Sequence, residues 1–487
     1  MVRIINRLHS AGSTHPAVSG ILLFLCLTAW SFSSPISSGL DSGQHLASVW
    51  CANGESAGDC QNIRRENSVL VADIPYINPS VPTNEDGTQT FPITSESEQN
   101  LFYKVMHLFV QKDSTQSVLS MRLFNSGIFS IICALLLNIR KTKFRFAALT
   151  SLTFTLIPIL ISTVSQVNPR SWAITSVASS WVFLGVSMEH SERRSKIGYA
   201  ILYGIAVLLA ISSRWDAALF VAFTSLIMII RHFLVNNALS VRRLALKVGI
   251  FAILFLIIRF FSQTLSTRTS FQFFNSYPKD QFIFFQLVHI PENIADGLGL
   301  GIRYFDIGPN IIGIIGVSLF AISLAFNLRG ASQIPKILSL ATFVFIFIIM
   351  FRMSAVWNTL TPPVGAYTAS LLTFLMGISA IDSNQNTDLY SSRTWRIVFI
   401  SLLSYSHFLT LYSRLEWSTT SEELSPTIGT YSRIDLQGGW WWSTALPPLF
   451  VLMSGSLLFI LWLVHSWFRT TLLQSESVTD TRTSVTP

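Results

Sequence analysis

Crossing the hydrocarbon of a bilayer takes a helix of roughly 17 to 25 mostly apolar residues, and this sequence offers that length about twelve times over. The runs fall near 17–33, 118–138, 145–163, 171–188, 197–213, 216–235, 244–262, 308–327, 334–351, 364–381, 394–412 and 445–466. Lipid leaves backbone polar groups no partner outside the chain, so spanning segments of this length must be helices. The predicted class is an all-α polytopic membrane protein. Composition agrees, because only 12% of the 487 residues are charged and mean hydropathy is +0.50, against about 25% charged residues in soluble domains. A soluble enzyme, a disordered chain, collagen and a coiled coil are thereby excluded. No internal repeat is visible. Residues 1–466 read as one membrane domain, and the Ser- and Thr-rich stretch 467–487 as a disordered cytoplasmic tail.

The formal charge of +8 raises nucleic acid as a partner, but its distribution answers the question. With twelve spans and the N-terminus inside, the cytoplasmic segments gather clusters such as Arg140, Lys141, Lys143 and Arg145, then Arg193, Arg194 and Lys196. They reach a net +13, while the opposite side carries −5. That asymmetry follows the positive-inside rule, and topology with anionic lipid accounts for the charge without nucleic acid. The expected arrangement is a membrane protein with both termini cytoplasmic. The first run follows Arg3 and Arg7 and is trailed by Ser31-Phe32-Ser33, a small-x-small triplet that a signal peptidase accepts, so cleavage stands as an alternative to a retained first span.

The long connections, 34–117, 263–307 and 413–444, all fall on the outer side, which is where function is expected. Cys51 and Cys60 share the first of these loops and suit a disulfide in an oxidising compartment, two free thiols being the alternative. Cys26 and Cys133 fall in spans and read as small apolar packers. Four prolines, at 75, 79, 82 and 92, argue for irregular structure over 73–95. Periodicity returns over 98–112, where Leu101, Val105, Leu108 and Phe109 recur at helical spacing and describe an amphipathic helix at the membrane surface.

No phosphate-binding Walker loop, zinc-helix His pair, dinucleotide fingerprint or Gly-x-Ser-x-Gly elbow occurs. Polar residues at the outer ends of spans remain, and ionisable groups there are functional candidates by default. Asp41 and His45 share one face of a helix entered at Asp41. Asp41 is then a candidate general base for a sugar hydroxyl, with His45 orienting it or binding phosphate when protonated; the alternative is that Asp41 only caps that helix. Arg122, Arg170, Arg214, Arg303 and Arg414 reach the same boundary, where guanidinium forks suit phosphate oxygens. Local carboxylates offer the competing explanation, Asp216 for Arg214 and Asp306 for Arg303. Asp306 is itself a candidate to bind acceptor or orient an arginine. Asn168-Pro169 shapes a turn, and Trp440-Trp441-Trp442 suits an aromatic belt or a sugar-stacking surface.

Taken in order, several of these features carry a resemblance. They are Asp41 and His45 after the first span, Arg122-Leu123, Pro158 with Asn168-Pro169, Arg214, Gly301-Ile302-Arg303-Tyr304-Phe305-Asp306 before Pro309, Arg414, and the Trp-rich segment running into Pro447-Pro448. Over nearly its whole length the chain resembles the actinobacterial branch of the bacterial membrane family known as domain of unknown function 2142, which is similar to GT-C glycosyltransferases. Ser42 stands where that family has Glu, and Thr361-Pro362-Pro363 replaces an Arg-Tyr pair near span ten. The resemblance implies a GT-C-like fold and transfer of a sugar from a polyprenyl-phosphate donor to a cell-envelope acceptor. Asp41 would be the catalytic residue, with His45, Arg122, Arg214, Arg303, Asp306 and Arg414 binding substrate. A membrane-anchored donor needs no nucleotide domain. No metal ligand set is indicated, since Asp-x-Asp is absent. A carrier or flippase for a lipid-linked glycan is the second reading, with polar residues expected at mid-membrane. A non-catalytic envelope-assembly protein is the third.

Overall fold

A computed structural model describes residues 16–33, 42–53, 100–235, 309–357, 364–381, 393–419 and 447–483, and they form helices with no β-strand among them. In chain order these are α1 (Pro16–Phe32), α2 (Ser42–Trp50), α3 (Leu101–His107), α4 (Ser114–Leu137), α5 (Thr142–Thr155), α6 (Pro158–Val164) and α7 (Arg170–Glu189). Then come α8 (Arg193–Ser213), α9 (Trp215–Val235), α10 (Pro309–Arg329), α11 (Gln333–Trp357), α12 (Val364–Ala380), α13 (Arg393–Thr419) and α14 (Pro448–Thr483). Eleven of the expected spans coincide with these helices, and the seventh, 244–262, lies outside the described residues. Within them, six helices have the length and hydropathy to cross a membrane: α4, α7, α8, α9, and segments of α11 and α14. The chain is an all-α polytopic membrane protein.

Sequence decides which helices face lipid. In α7, Ser171, Thr175, Ser176, Ser179, Ser180 and Gly185 keep the surface small, so α4, α5, α6, α8, α9 and α12 all pack against it. Two of its hydroxyls are returned to its own backbone, Thr175 Oγ1 to the Ser171 carbonyl and Ser179 Oγ to that of Thr175, both at 2.7 Å. The neighbouring α8 instead presents Ile197, Ile201, Ile205, Leu208 and Ile211 outward. Those residues repeat at three- and four-residue intervals, which is the apolar stripe of a helix flanking lipid. Close approach at the centre depends on Gly377 in α12, where a Cβ would lie 2.4 Å from the Trp181 ring of α7.

The third expected span is two helices. Pro158 has no N–H to continue the ladder of α5, so the chain breaks at Leu156–Ile157 and restarts as α6. Helix α1 packs between α4 and α14, with Leu23, Cys26, Leu27 and Trp30 fully buried. Asp113 caps α4, its carboxylate accepting from the backbone N–H groups of Thr115 at 2.8 Å and Gln116 at 3.4 Å. Helix α14 continues to Thr483, through a stretch whose composition led to an expectation of disorder. Extending an existing helix avoids the nucleation cost that an isolated polar segment would carry.

The two ends of the bundle carry different charges. At one, Glu189 closes α7 and meets Lys143 Nζ at 2.6 Å, Arg231 Nη1 at 2.7 Å and Lys141 Nζ at 3.8 Å. Lys141 also donates to the Glu189 carbonyl. Cations at a helix C-terminus complement its dipole, so this cluster ties α5 and α9 to the end of α7. The other end holds arginines.

Candidate functional site

Four guanidinium groups collect at that second end from four points in the chain. Arg122 stands two turns into α4, Arg170 opens α7, Arg214 joins α8 to α9, and Arg414 lies in the C-terminal part of α13. Arg122, Arg170 and Arg414 are buried. Each has a reason to be where it is. Arg122 Nη1 donates to the carbonyl of Ser31 at 2.8 Å, satisfying one of the carbonyls left open at the end of α1. The Gln166 side-chain oxygen accepts from both terminal nitrogens of Arg414, Nη1 lying at 3.2 Å. Arg414 also lies over the Trp30 ring, 6.0 Å from its centroid.

Gln166 is held in turn by α4, because Asn125 Nδ2 donates to its backbone carbonyl at 2.9 Å while Asn125 Oδ1 accepts from Trp172 Nε1 at 3.0 Å. One amide therefore ties both the α6–α7 turn and the first turn of α7 to α4. Two residues on, Asn168 Oδ1 accepts the Arg170 backbone N–H at 2.9 Å, the turn-forming role its sequence predicts. Arg214 pairs with Asp216, Nε lying 3.0 and 3.2 Å from the two carboxylate oxygens. The local carboxylate is thus real for this arginine. Asp216 also accepts from the Ala217 backbone N–H at 2.8 Å.

His45, on the short helix α2, faces the same region. Its Nδ1 and the Tyr103 hydroxyl of α3 are 2.8 Å apart, while Nε2 is buried with no hydrogen-bond partner among the described residues. Burial first, then the Arg170 and Arg214 guanidiniums, push its pKa down to about 3. The free site therefore holds a neutral imidazole, and protonated His45 as a phosphate ligand requires that an anion first offset those arginines.

Helix α3 locks α2 in place. His107 Nδ1 lies 3.0 Å from the Val49 carbonyl, and Asn100 Nδ2 donates to the Ser213 carbonyl at 2.9 Å. Phe102, Tyr103 and Met106 make its buried face, whereas Leu101 and Leu108 are exposed. Of the stripe legible in the sequence, Leu101 and Leu108 thus point outward, while Val105 and Phe109 are partly buried against the core.

Asp41, Arg303, Asp306 and Cys60 lie outside the described residues, as do Trp440-Trp441-Trp442. Cys51 is disulfide-bonded and buried, whereas Cys26 and Cys133 are free and buried inside spans. Among the described residues no three His, Cys, Asp or Glu side chains converge as a metal site. The structure adds Gln166, Asn125, Tyr103 and Trp30 to the arginine end. Each is a residue type common in any membrane helix, and only long-range contact reveals its part.

The model of the predicted membrane protein family DUF2142 matches residues 24–404 of this chain, which is most of its length. The chain belongs to that family. The match runs from α1 into α13, so Arg122, Arg170 and Arg214 fall inside it and Arg414 just beyond. No curated protein and no solved structure matches this DUF2142 chain.

Proposed function

We propose that this DUF2142 protein is a GT-C-like glycosyltransferase that moves a sugar from a polyprenyl-phosphate donor to a cell-envelope acceptor. The reaction is assigned to the extracytoplasmic side of the bacterial plasma membrane, with both chain termini in the cytoplasm. The observation that carries the reading is the arginine end: Arg122, Arg170, Arg214 and Arg414 gather there, with Asp216 pairing with Arg214. Planar guanidinium forks suit phosphate oxygens, and a lipid phosphate has the charge and the depth to meet them.

In this scheme the Asp41 carboxylate takes the proton of the acceptor hydroxyl, whose oxygen attacks the anomeric carbon. The bond from that carbon to the phosphate oxygen breaks, and its electron pair stays on the departing polyprenyl phosphate. Arg122, Arg214, Arg303 and Arg414 stabilise the charge that develops there, while His45 and Asp306 position the substrates. Pairing of Cys51 with Cys60 would keep the loop after α2 close to the site. Complementation of a deletion strain tests the reading. Wild type restores the lost envelope glycan, whereas Asp41→Asn and Asp41→Ala accumulate in the membrane and do not. Full rescue by Asp41→Asn removes the base.

A carrier or flippase for a lipid-linked glycan is the second reading. It is favoured by a buried polar group midway along a helix, His407 in α13. Transfer of radiolabelled sugar by detergent-solubilised protein separates the two, since a carrier catalyses none.

A further inference from the structure

Three helices, α1, α13 and α14, meet around a histidine that the reaction above does not use. His407 of α13 is buried, with its ring stacked on Phe459 of α14 at a centroid distance of 4.0 Å and an angle of 7°. Its Nε2 accepts the indole N–H of Trp30 at 2.7 Å, so the proton of the neutral ring is on Nδ1. Cys26 Sγ lies 3.7 Å from the same nitrogen and donates to the Gly455 carbonyl at 3.7 Å. Gly455 permits the close approach, because a Cβ there would stand 2.9 Å from Ala29 Cβ, which cannot rotate away.

An imidazole whose Nδ1 is buried with no hydrogen-bond partner among the described residues is a poor choice for filling space in an apolar helix, where Leu or Phe packs without a polar cost. What it supplies is one strong acceptor aimed at Trp30. The indole has two neighbours of consequence, His407 at its N–H and Arg414 across its ring face. Fixing the N–H fixes the plane of the ring, and the plane is the surface on which the Arg414 guanidinium rests. Arg414 lies seven residues beyond His407, two turns along the same helix. Trp30 therefore bridges two points of α13 from α1.

We propose that His407 is a positioning residue that holds Trp30, and through it Arg414, in the geometry of the arginine end. The importance of Arg414 to lipid phosphate rests on the function proposed above, but the positioning itself is independent of any ligand and is tested without one.

Purified wild type, Trp30→Phe, His407→Phe and His407→Gln would be treated with phenylglyoxal, and modification of Arg414 followed by peptide mass spectrometry. Wild-type Arg414, buried and paired with Gln166, should react slowly. His407→Phe and Trp30→Phe each break the hydrogen bond and should speed modification about tenfold or more, the cost of one released contact of about 1.4 kcal/mol. His407→Gln retains a carbonyl acceptor for the indole and should stay within about twofold of wild type. Unchanged Arg414 reactivity in His407→Phe at normal membrane abundance overturns the proposal. So does loss of abundance in all three variants, which assigns His407 to core packing. Failure of wild type to bind a polyprenyl phosphate, with the reactivity pattern intact, rejects the proposed function and leaves the positioning role standing.

Discussion

Arg122 and Arg414 are electrostatic neighbours inside the bundle, each a buried cation acting on the other although α4 and α13 carry them from opposite halves of the chain. The Ser31 carbonyl accepts from Arg122 and the Gln166 amide oxygen from Arg414. Planar forks rather than positive points are required there. Arg122→Lys and Arg414→Lys are accordingly expected to reduce envelope-glycan restoration at least tenfold at undiminished membrane abundance, because an ammonium cannot span two oxygens of one phosphate. Equal rescue by the lysine variants would mean that charge alone suffices.

Asp216 limits how much positive potential Arg214 presents. Replacing it by Asn keeps an oxygen for the Ala217 N–H but removes the counter-charge. Tighter binding of inorganic pyrophosphate than in wild type is expected for Asp216→Asn, measured by isothermal titration, together with a fall in thermal stability worth about 1–3 kcal/mol. Weaker binding would place Asp216 on the ligand side of the site.

His45 makes stability depend on pH with a definite sign. Its pKa falls from the ordinary 6.5 to about 3 on folding, so between those values the unfolded chain holds the proton and the folded chain does not. This contribution is complete above pH 6.5 and is lost as pH falls toward 3, with a limiting slope of about 1.4 kcal/mol per pH unit. Thermal unfolding in detergent from pH 7 to pH 4 should show a steeper acid loss for wild type than for His45→Gln. Parallel curves would place His45 in open solvent.

At the opposite end, Glu189 is the shared partner of Lys141, Lys143 and the buried Arg231. Glu189→Gln strips Arg231 of its carboxylate, a loss of up to about 3–5 kcal/mol for a fully buried pair, and less here because Glu189 is partly exposed. Membrane abundance should drop several-fold, and Glu189→Gln with Arg231→Gln should recover much of it. A double variant no better than the single would show that the ion pair is not what holds the α7 terminus.

Much of this architecture is legible in the sequence because lipid imposes a length and a composition on every span. The turn at Asn168 and the pairing of Arg214 with Asp216 are legible too, each being set by residues within a few positions of one another, whereas the run 145–163 reads as one span and its break at Pro158 does not. Nor is His407 legible. It sits in an apolar run where nothing nearby marks it, and its partner Trp30 is 377 residues away. Gln166 and Asn125 were missed for the same reason. The inner face of α3 went unread because Phe102 and Met106 only become the packing side once α2 and α8 are in place.

The central claim is that the arginine end holds a lipid phosphate. Native mass spectrometry of the purified protein with undecaprenyl phosphate and with the matching prenyl alcohol tests it most directly. Wild type should retain the phosphate and not the alcohol, and Arg122→Met with Arg414→Met should lose at least tenfold of that retention while still folding. Equal retention of phosphate and alcohol by wild type, or undiminished phosphate binding by the double variant, would contradict the claim.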